Sequence, residues 1–522
     1  MDYFKKKGMK MKKIATLFFA LLISFGMNAQ TIKGKQQRPN IVIILSDDHA
    51  YQAIGAYGST IAKTPNIDRL AKEGARFNKA YVTNSICGPS RAVILTGKYS
   101  HKNGFKDNDQ SVFDGSQNTF AKELQHAGYQ TAWIGKWHLT SLPQGFDFWK
   151  ILPGQGQYYN PDFIQMDGNR QRFEGYVSNL VEDFSEDWLN KRDASKPFCL
   201  VIGHKAAHRT WLPDIADLGR YDAVQFPLPP DFYDNYANRK AAEVQDMTIS
   251  KTMLLDYDLK MRMDDPAKRG FERLNEKQRA IIEPYYQKIE AGLKAGNLSG
   301  NALTEWKFQR YMKDYLNTAQ SIDRNVGRTL DYLDQHHLEE NTIVIYMSDQ
   351  GFYLGEHGWF DKRWMYEESF RTPMLMRFPR KVKPGSTVNQ MVMNLDIAPT
   401  MLDAAGVSIP KDMQGKSMLP IIKNSNAPWR NQLYYHYYEN TVHSVSPHFG
   451  IKTKRYKLIR FYERVTGWEL YDLQQDPHEM KNLYGNKGYE AITAQLKKQL
   501  NQLIVQYDDV EAKQILGDGK EL

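Results

Sequence analysis

The run Asn40-Ile41-Val42-Ile43-Ile44-Leu45, ending in Ser46-Asp47-Asp48, decides the fold of this chain. Five consecutive large aliphatic residues with no polar alternation predict a strand covered on both faces, as in a parallel sheet. The construction recurs three times. Gln130–Ile134 runs into Gly135-Lys136-Trp137-His138, Phe198–Ile202 runs toward His204 and His208, and Thr342–Met347 runs into Ser348-Asp349-Gln350. Helices are predicted between these strands. The first runs from Thr64-Pro65 to Gly74, with threonine as the cap and proline in the first turn. Others cover Thr119 to His126, stopped by Gly128, then Val177 to Lys191, and Trp306 to His337 as one long amphipathic helix or two. A strand Met374–Phe378 and a helix Leu395–Ala405 complete the alternation, which implies an α/β fold with a mostly parallel sheet and helices on both faces.

A length of 522 residues suits two unequal domains. Beyond about Pro428, Leu433–Tyr438, Phe449–Ile451 and Tyr456–Phe461 read as antiparallel strands. A helix from about Tyr489 to Tyr507 follows, giving a smaller α+β domain. Between about 213 and 304 the chain is polar and tyrosine-rich with no clear strand, and reads as an insertion. The expected organisation is a signal peptide (1–29), a catalytic domain (38–427) containing that insertion, and a C-terminal α+β subdomain (428–515).

The signal reading rests on six lysines between Lys5 and Lys13, an apolar run from Ile14 to Phe25, and Met27-Asn28-Ala29 before cleavage. The run is shorter than the about 20 residues a membrane span needs, and no cysteine follows it to carry a lipid. The mature protein is expected to be exported, to periplasm or medium, with no integral membrane segment after cleavage. Five of the nine net positive charges lie in those first 29 residues. The remainder is too weakly basic to argue for nucleic acid. Of the two cysteines, Cys199 sits within a predicted buried strand and is assigned to core packing.

In open α/β sheets, ligands collect beyond the carboxyl ends of the strands. Asp47, Asp48, Asp349 and Gln350 form a set of hard oxygen donors there, suited to Ca²⁺ or Mg²⁺ rather than zinc. Lys136, His138, His208 and Lys362 supply cationic groups. A divalent cation among these side chains, with an arginine, matches a strongly charged anion, and phosphate and sulfate esters both fit. Cys87-Gly88-Pro89-Ser90-Arg91 adds a thiol at a predicted helix N-terminus, with Arg91 able to reach the same anion.

The segment Cys87-Gly88-Pro89-Ser90-Arg91-x4-Thr96-Gly97 resembles the signature of the type I sulfatases, in the alkaline-phosphatase-like superfamily. The likeness extends through Asp47-Asp48, Gly135-Lys136-Trp137-His138, Ser348-Asp349-Gln350-Gly351, Lys362-x4-Glu367-x3-Arg371-x-Pro373 and Glu469-Leu470-Tyr471-Asp472-Leu473. It implies an alkaline-phosphatase-like α/β/α sandwich with a smaller C-terminal α+β domain. It also implies one Ca²⁺ per chain, held by Asp47, Asp48, Asp349, Gln350 and the residue made from Cys87. That residue is Cα-formylglycine, produced by a formylglycine-generating or radical sulfatase-maturating enzyme. Catalytic roles carry over to Cys87 as the nucleophile precursor, Arg91 beside it, and Lys136 and Lys362 on the sulfate oxygens. His138 becomes the base that helps expel sulfate, and His208 the acid for the leaving alkoxide. Two positions depart from the family pattern: Gly88, where serine or threonine is common, and Gln350, where asparagine is more frequent.

The segment Ser348–Arg363 is similar to that of glycan exo-sulfatases, in particular those that remove 6-O-sulfate from N-acetylglucosamine in heparan-type or mucin glycans. A sulfated glycan is therefore the expected substrate, with His357, Asp361, Arg363 and Trp211 as candidate sugar contacts. The competing readings are a phosphodiester or phosphonate ester hydrolase of the same superfamily, and a noncatalytic glycan-binding homologue with unmodified Cys87.

Overall fold

The computed structural model describes residues 38–261 and 271–517. The expected signal peptide lies outside the described residues, as does part of the expected insertion. The central element is a ten-stranded mixed sheet. Its strands are β1 (Asn40–Ser46), β2 (Ala75–Phe77), β3 (Gln130–Lys136), β4 (Phe148–Leu152), β5 (Asp162–Ile164), β6 (Arg170–Arg172), β7 (Phe198–Gly203), β8 (Thr342–Ser348), β9 (Met374–Arg377) and β10 (Ser386–Val388). They are ordered β10-β2-β9-β8-β1-β7-β3-β4-β5-β6. The five strands β8, β1, β7, β3 and β4 run parallel. Met374–Arg377 enters antiparallel to β8, and β5 and β6 close the far edge as antiparallel strands.

The aliphatic run at residues 41–45 divides between two cores. Val42 and Ile44 pack with the long helix on one face of the sheet, and Ile41, Ile43 and Leu45 with helices on the other. This accounts for the missing polar alternation. The helices are α1 (Pro65–Glu73), α2 (Cys87–Thr96), α3 (Phe120–His126), α4 (Val177–Lys191), α5 (Glu276–Gly296), α6 (Gly300–Gln335) and α7 (Ile397–Ala405). Gly300–Gln335 is a single helix of 36 residues, resolving the one-or-two ambiguity.

One capping expectation is corrected. The Thr64 side chain makes no cap bond to α1; its hydroxyl accepts from Gly55 N and donates to Asp68 Oδ1. The orphan amides of α1 are met instead by Asp323 on α6, whose carboxylate accepts from Asn66 N at 3.0 Å and Ile67 N at 2.9 Å.

The C-terminal sheet is antiparallel and four-stranded: β11 (Gln432–Tyr437), β12 (His448–Thr453), β13 (Tyr456–Phe461) and β14 (Gly467–Asp472), packed on α8 (Glu490–Tyr507). Its last strand was not among those expected. The 213–304 segment contains no strand among its described residues. It supports the chain that follows β8: Ile249 N donates to Gly358 O, Phe360 N to Met247 O, and Tyr236 Oη to His357 O.

Candidate active site

Because β8 and β1 pair in register at Ser46 and Ser348, the chain delivers Asp47-Asp48 and Asp349-Gln350 side by side at their carboxyl ends. Asp47 is pinned to the chain after β7, its amide donating to Ala206 O and its carbonyl accepting from Ala207 N. Asp48 is turned inward by a left-handed backbone (φ 61°), and its carbonyl accepts from Tyr315 Oη at 2.7 Å. His138, Asp361 and Arg363 also adopt positive φ. Such uncommon conformations in non-glycine residues persist where surrounding structure holds them, and they gather at functional sites.

Cys87 is the first residue of α2 and is fully buried. Its Sγ lies 3.2 Å from Asp47 Oδ1. Gly88 follows in a tight space: a Cβ there would lie 2.6 Å from Asn108 Oδ1 and from Phe105 Cε1, so a larger residue requires those side chains to shift. The first departure from the family pattern thus goes with close packing by Asn108 and Phe105. Ser90 Oγ donates to Asp349 O and accepts from Asn394 Nδ2, locking the first turn of the helix. One turn on, buried Arg91 places Nε 2.9 Å from Asp349 Oδ2 and Nη1 2.8 Å from Lys136 O.

The predicted cations converge on these acids. Lys136 Nζ pairs with Asp47 Oδ2, and Lys362 Nζ lies 2.7 and 2.6 Å from the two oxygens of Asp48. His208 Nδ1 is 2.6 Å from Arg209 O, so Nδ1 carries the proton and Nε2 faces the acids, 3.9 Å from Asp48 Oδ2. His138 Nδ1 is buried with no hydrogen-bond partner among the described residues. Gly135, between strand and site, is obligatory: a Cβ there would meet Gly203 O at 2.0 Å, and its φ is 100°.

Asp47, Asp48, Asp349 and Cys87 offer ligand atoms that all lie within 4.8 Å of one another. Gln350 Oε1 is buried and accepts no hydrogen bond from the described residues, while its Nε2 donates to Asp48 Oδ1. Three buried carboxylates and a free amide oxygen fit a hard divalent cation. The electrostatics point the same way. Burial pushes the Asp48 carboxyl up to about 7, against the pull of Lys362 and with the added repulsion of Asp47 and Asp349. Burial acts upward on Asp47 too, but Lys136, His208, Arg91 and Lys362 together hold it well below the usual carboxylate range. Burial, and then the Asp47 charge, push the Cys87 thiol well up. Burial drives both His138 and His208 well below the ordinary imidazole value.

Two expected sugar contacts are corrected. Trp211 is fully buried, with its ring against Tyr311, Phe352 and Phe360, so its aromatic face is used in the core. His357 is also fully buried, with Nδ1 2.8 Å from Asp234 Oδ2, and its ring braces the loop from within. Asp361 and Arg363 do flank Lys362, paired through Arg363 Nη1 and Asp361 Oδ2 at 2.7 Å.

Two residues at the site were not foreseen. Gln155, beyond β4, accepts from Lys136 Nζ at 2.5 Å. Lys205 is buried over the Tyr158 ring with no hydrogen-bond acceptor among the described residues, and burial, followed by the Lys136 charge, lowers its ammonium to about 7. The available signal was positional: both lie just past the ends of parallel strands.

Comparison with known proteins closes the argument. The sulfatase family profile matches residues 39–407, and the profile "N-sulphoglucosamine sulphohydrolase, C-terminal" matches residues 355–506. The chain is 47% identical over 504 residues to an N-acetylglucosamine-6-O-sulfatase of Bacteroides thetaiotaomicron, covering 93% of this chain and 90% of the relative. It is 30% identical over 506 residues to an arylsulfatase of Clostridium perfringens, covering 88% and 93%. The solved structure of BT4656 in complex with its substrate D-glucosamine-2-N,6-O-disulfate superimposes with a TM-score of 0.89 at 46% identity, covering 91% of this chain and 99% of the other. The chain belongs to the sulfatase family, and is a sulfuric ester hydrolase of the alkaline-phosphatase-like superfamily.

Proposed function

We propose that the protein is an exported glycan sulfatase that removes 6-O-sulfate from N-acetylglucosamine units of heparan-type or mucin glycans. It would use Ca²⁺ and a formylglycine made from Cys87 by a formylglycine-generating or radical sulfatase-maturating enzyme. The observation that carries the chemistry is the set of Asp47, Asp48, Asp349 and the free Gln350 Oε1 around Cys87, ringed by Arg91, Lys136 and Lys362. The substrate position rests on the relative named for N-acetylglucosamine-6-O-sulfate and on the 6-O-sulfated ligand of the BT4656 complex.

As a thiol, Cys87 is poorly suited to attack. Reactive cysteines have a lowered pKa, and this one is raised by burial and by Asp47. Hydrated formylglycine supplies instead two hydroxyls on one carbon, one to attack sulfur and one through which sulfate is later released. Asp47, Asp48, Asp349 and Gln350 would hold Ca²⁺, which supplies charge to polarise that hydroxyl and a sulfate oxygen.

The remaining work falls to the chain's own side chains. Lys136 and Lys362 bind sulfate oxygens and offset charge as it develops. Arg91, fixed by Asp349 and the Lys136 carbonyl, holds the hydroxyl in line. His208, held by its Nδ1–H bond to Arg209 O, turns Nε2 toward the departing sugar oxygen; with the sulfate anion bound beside it the ring takes up a second proton at Nε2 and delivers it to that oxygen. His138 removes the proton whose loss releases sulfate. Asp361 and Arg363 contact sugar hydroxyls beside Lys362.

A panel of defined sulfated mono- and disaccharides, read position by position, tests this reading. Release of 6-O-sulfate from N-acetylglucosamine is expected, together with an aldehyde at position 87 in the mass spectrum of the matured protein. A preference for phosphate or phosphonate esters would overturn it.

A further inference from the structure

Beyond β4 the chain turns through Pro153-Gly154-Gln155-Gly156-Gln157, with Gly154 and Gly156 at φ 54° and 68°. The turn carries Gln155 inward to Lys136, while the same residue lines a cleft of about 280 Å³. Gln157, Asp162, Arg170 and Arg273 form much of the remaining wall. Gln155 thus stands between Lys136 and this cleft, which places the cleft next to the catalytic cluster.

The cleft's charge is unequally committed. Arg273 forks onto Asp162, with both bonds at 2.8 Å, and Arg172 reaches the same carboxylate. These bonds satisfy Asp162 and occupy Arg273. The Arg170 side chain, on the exposed edge strand β6, has no hydrogen-bond or ion-pair partner among the described residues. The result is a polar cleft with amides on one side and one uncommitted guanidinium on the other. A guanidinium of this kind recognises a planar carboxylate or a sulfate through paired N–H donors.

Building on the glycan-sulfatase reading, we propose that this cleft is a subsite for a second anionic group, carboxylate or sulfate, on the sugar joined to the 6-sulfated unit, with Arg170 as its contact. Four substrates test it: 6-sulfated N-acetylglucosamine alone, and the same unit linked to a neutral hexose, to a uronate, or to a sulfated hexose. In the wild-type enzyme, kcat/KM is expected to be higher for one or both anionic disaccharides than for the neutral one. Arg170→Ala should lower that ratio about tenfold, chiefly through KM, as loss of one charged hydrogen-bonded contact would. Arg170→Lys should recover part of it. Which anionic arm responds identifies carboxylate or sulfate as the ligand. An unmoved ratio in an active Arg170→Ala enzyme overturns the subsite alone. Failure of the wild-type enzyme to release sulfate from any of the four overturns the glycan-sulfatase reading, and the subsite with it.

Discussion

Lys362 Nζ lies within 2.7 Å of both carboxylate oxygens of Asp48, with both side chains buried. A proton, the Lys362 ammonium and the proposed divalent cation would all compete for that carboxylate. Since the Asp48 carboxyl is pushed up to about 7, lowering the pH would protonate this proposed metal ligand and weaken binding. Calorimetric titration with Ca²⁺ should show affinity falling about tenfold between pH 8 and pH 6, as expected for release of one proton. A pH-independent affinity would remove Asp48 from the ligand set. Lys362→Ala should cost about 10²–10³ in kcat, the usual loss for one donor aimed at developing charge.

Asp361 and Arg363 pair beside Lys362 while their backbones hold positive φ. If they contact the sugar, Arg363→Ala should raise KM for a 6-sulfated saccharide at least tenfold relative to KM for a small aryl sulfate. Equal losses on the two substrates would assign the pair to the sulfate end of the site.

Asp323 ties α6 to the start of α1 by accepting two backbone N–H bonds. Asp323→Ala leaves both amides unmet and should destabilise the protein by about 1–2 kcal/mol, read as a lower urea midpoint with an unchanged m-value. Thr64→Ala should cost less, because its hydroxyl serves the preceding loop rather than the helix.

Lys205 makes a stability prediction of the opposite sign. Its ammonium titrates near 7 in the folded protein, against 10.5 as the unperturbed value. Below about pH 7 both folded and unfolded chains carry the charge, so the folded state bears the full cost of burying it. Between pH 7 and 10.5 the folded chain has already released the proton, and the cost shrinks as the unfolded chain loses its own. Lys205→Met should therefore raise Tm, more at pH 6 than at pH 9.5. A gain that grows with pH would contradict this assignment.

The parallel core was legible because burial on two faces leaves a continuous aliphatic run, and Asp47 and Asp349 could be placed together because their strands end in like fashion. Cys87, Arg91, Lys136 and Lys362 were recognisable from chemistry and motif. Gln155 was hidden because it is neutral, set between glycines, and meaningful only once β4 is seen as the fifth parallel strand. Lys205 was passed over between two histidines, since no local pattern announces a lysine without an acceptor. Trp211 and His357 looked like contacts because they neighbour His208 and Lys362 in sequence; the folded chain turns both into the interior. Gly467–Asp472 carries part of the family likeness but has no strand signal of its own, and only pairing with Tyr456–Phe461 defines it. Thr64 misled for a related reason: the true partner of the helix lies 256 and 257 residues away.

The full burial of Cys87 sets a timetable for the life of the chain. The side chains that close over it come late, Gln350 being 263 residues further on. At roughly 5–20 residues per second, the ribosome needs on the order of ten to fifty seconds to synthesise that interval. Any enzyme that oxidises the Cys87 side chain must act within that interval or on a chain kept unfolded afterwards. On the proposed chemistry, fast folding is therefore a hazard: a molecule that closes early is well folded, holds its acids in register, and carries an inaccessible thiol at the position proposed for its nucleophile.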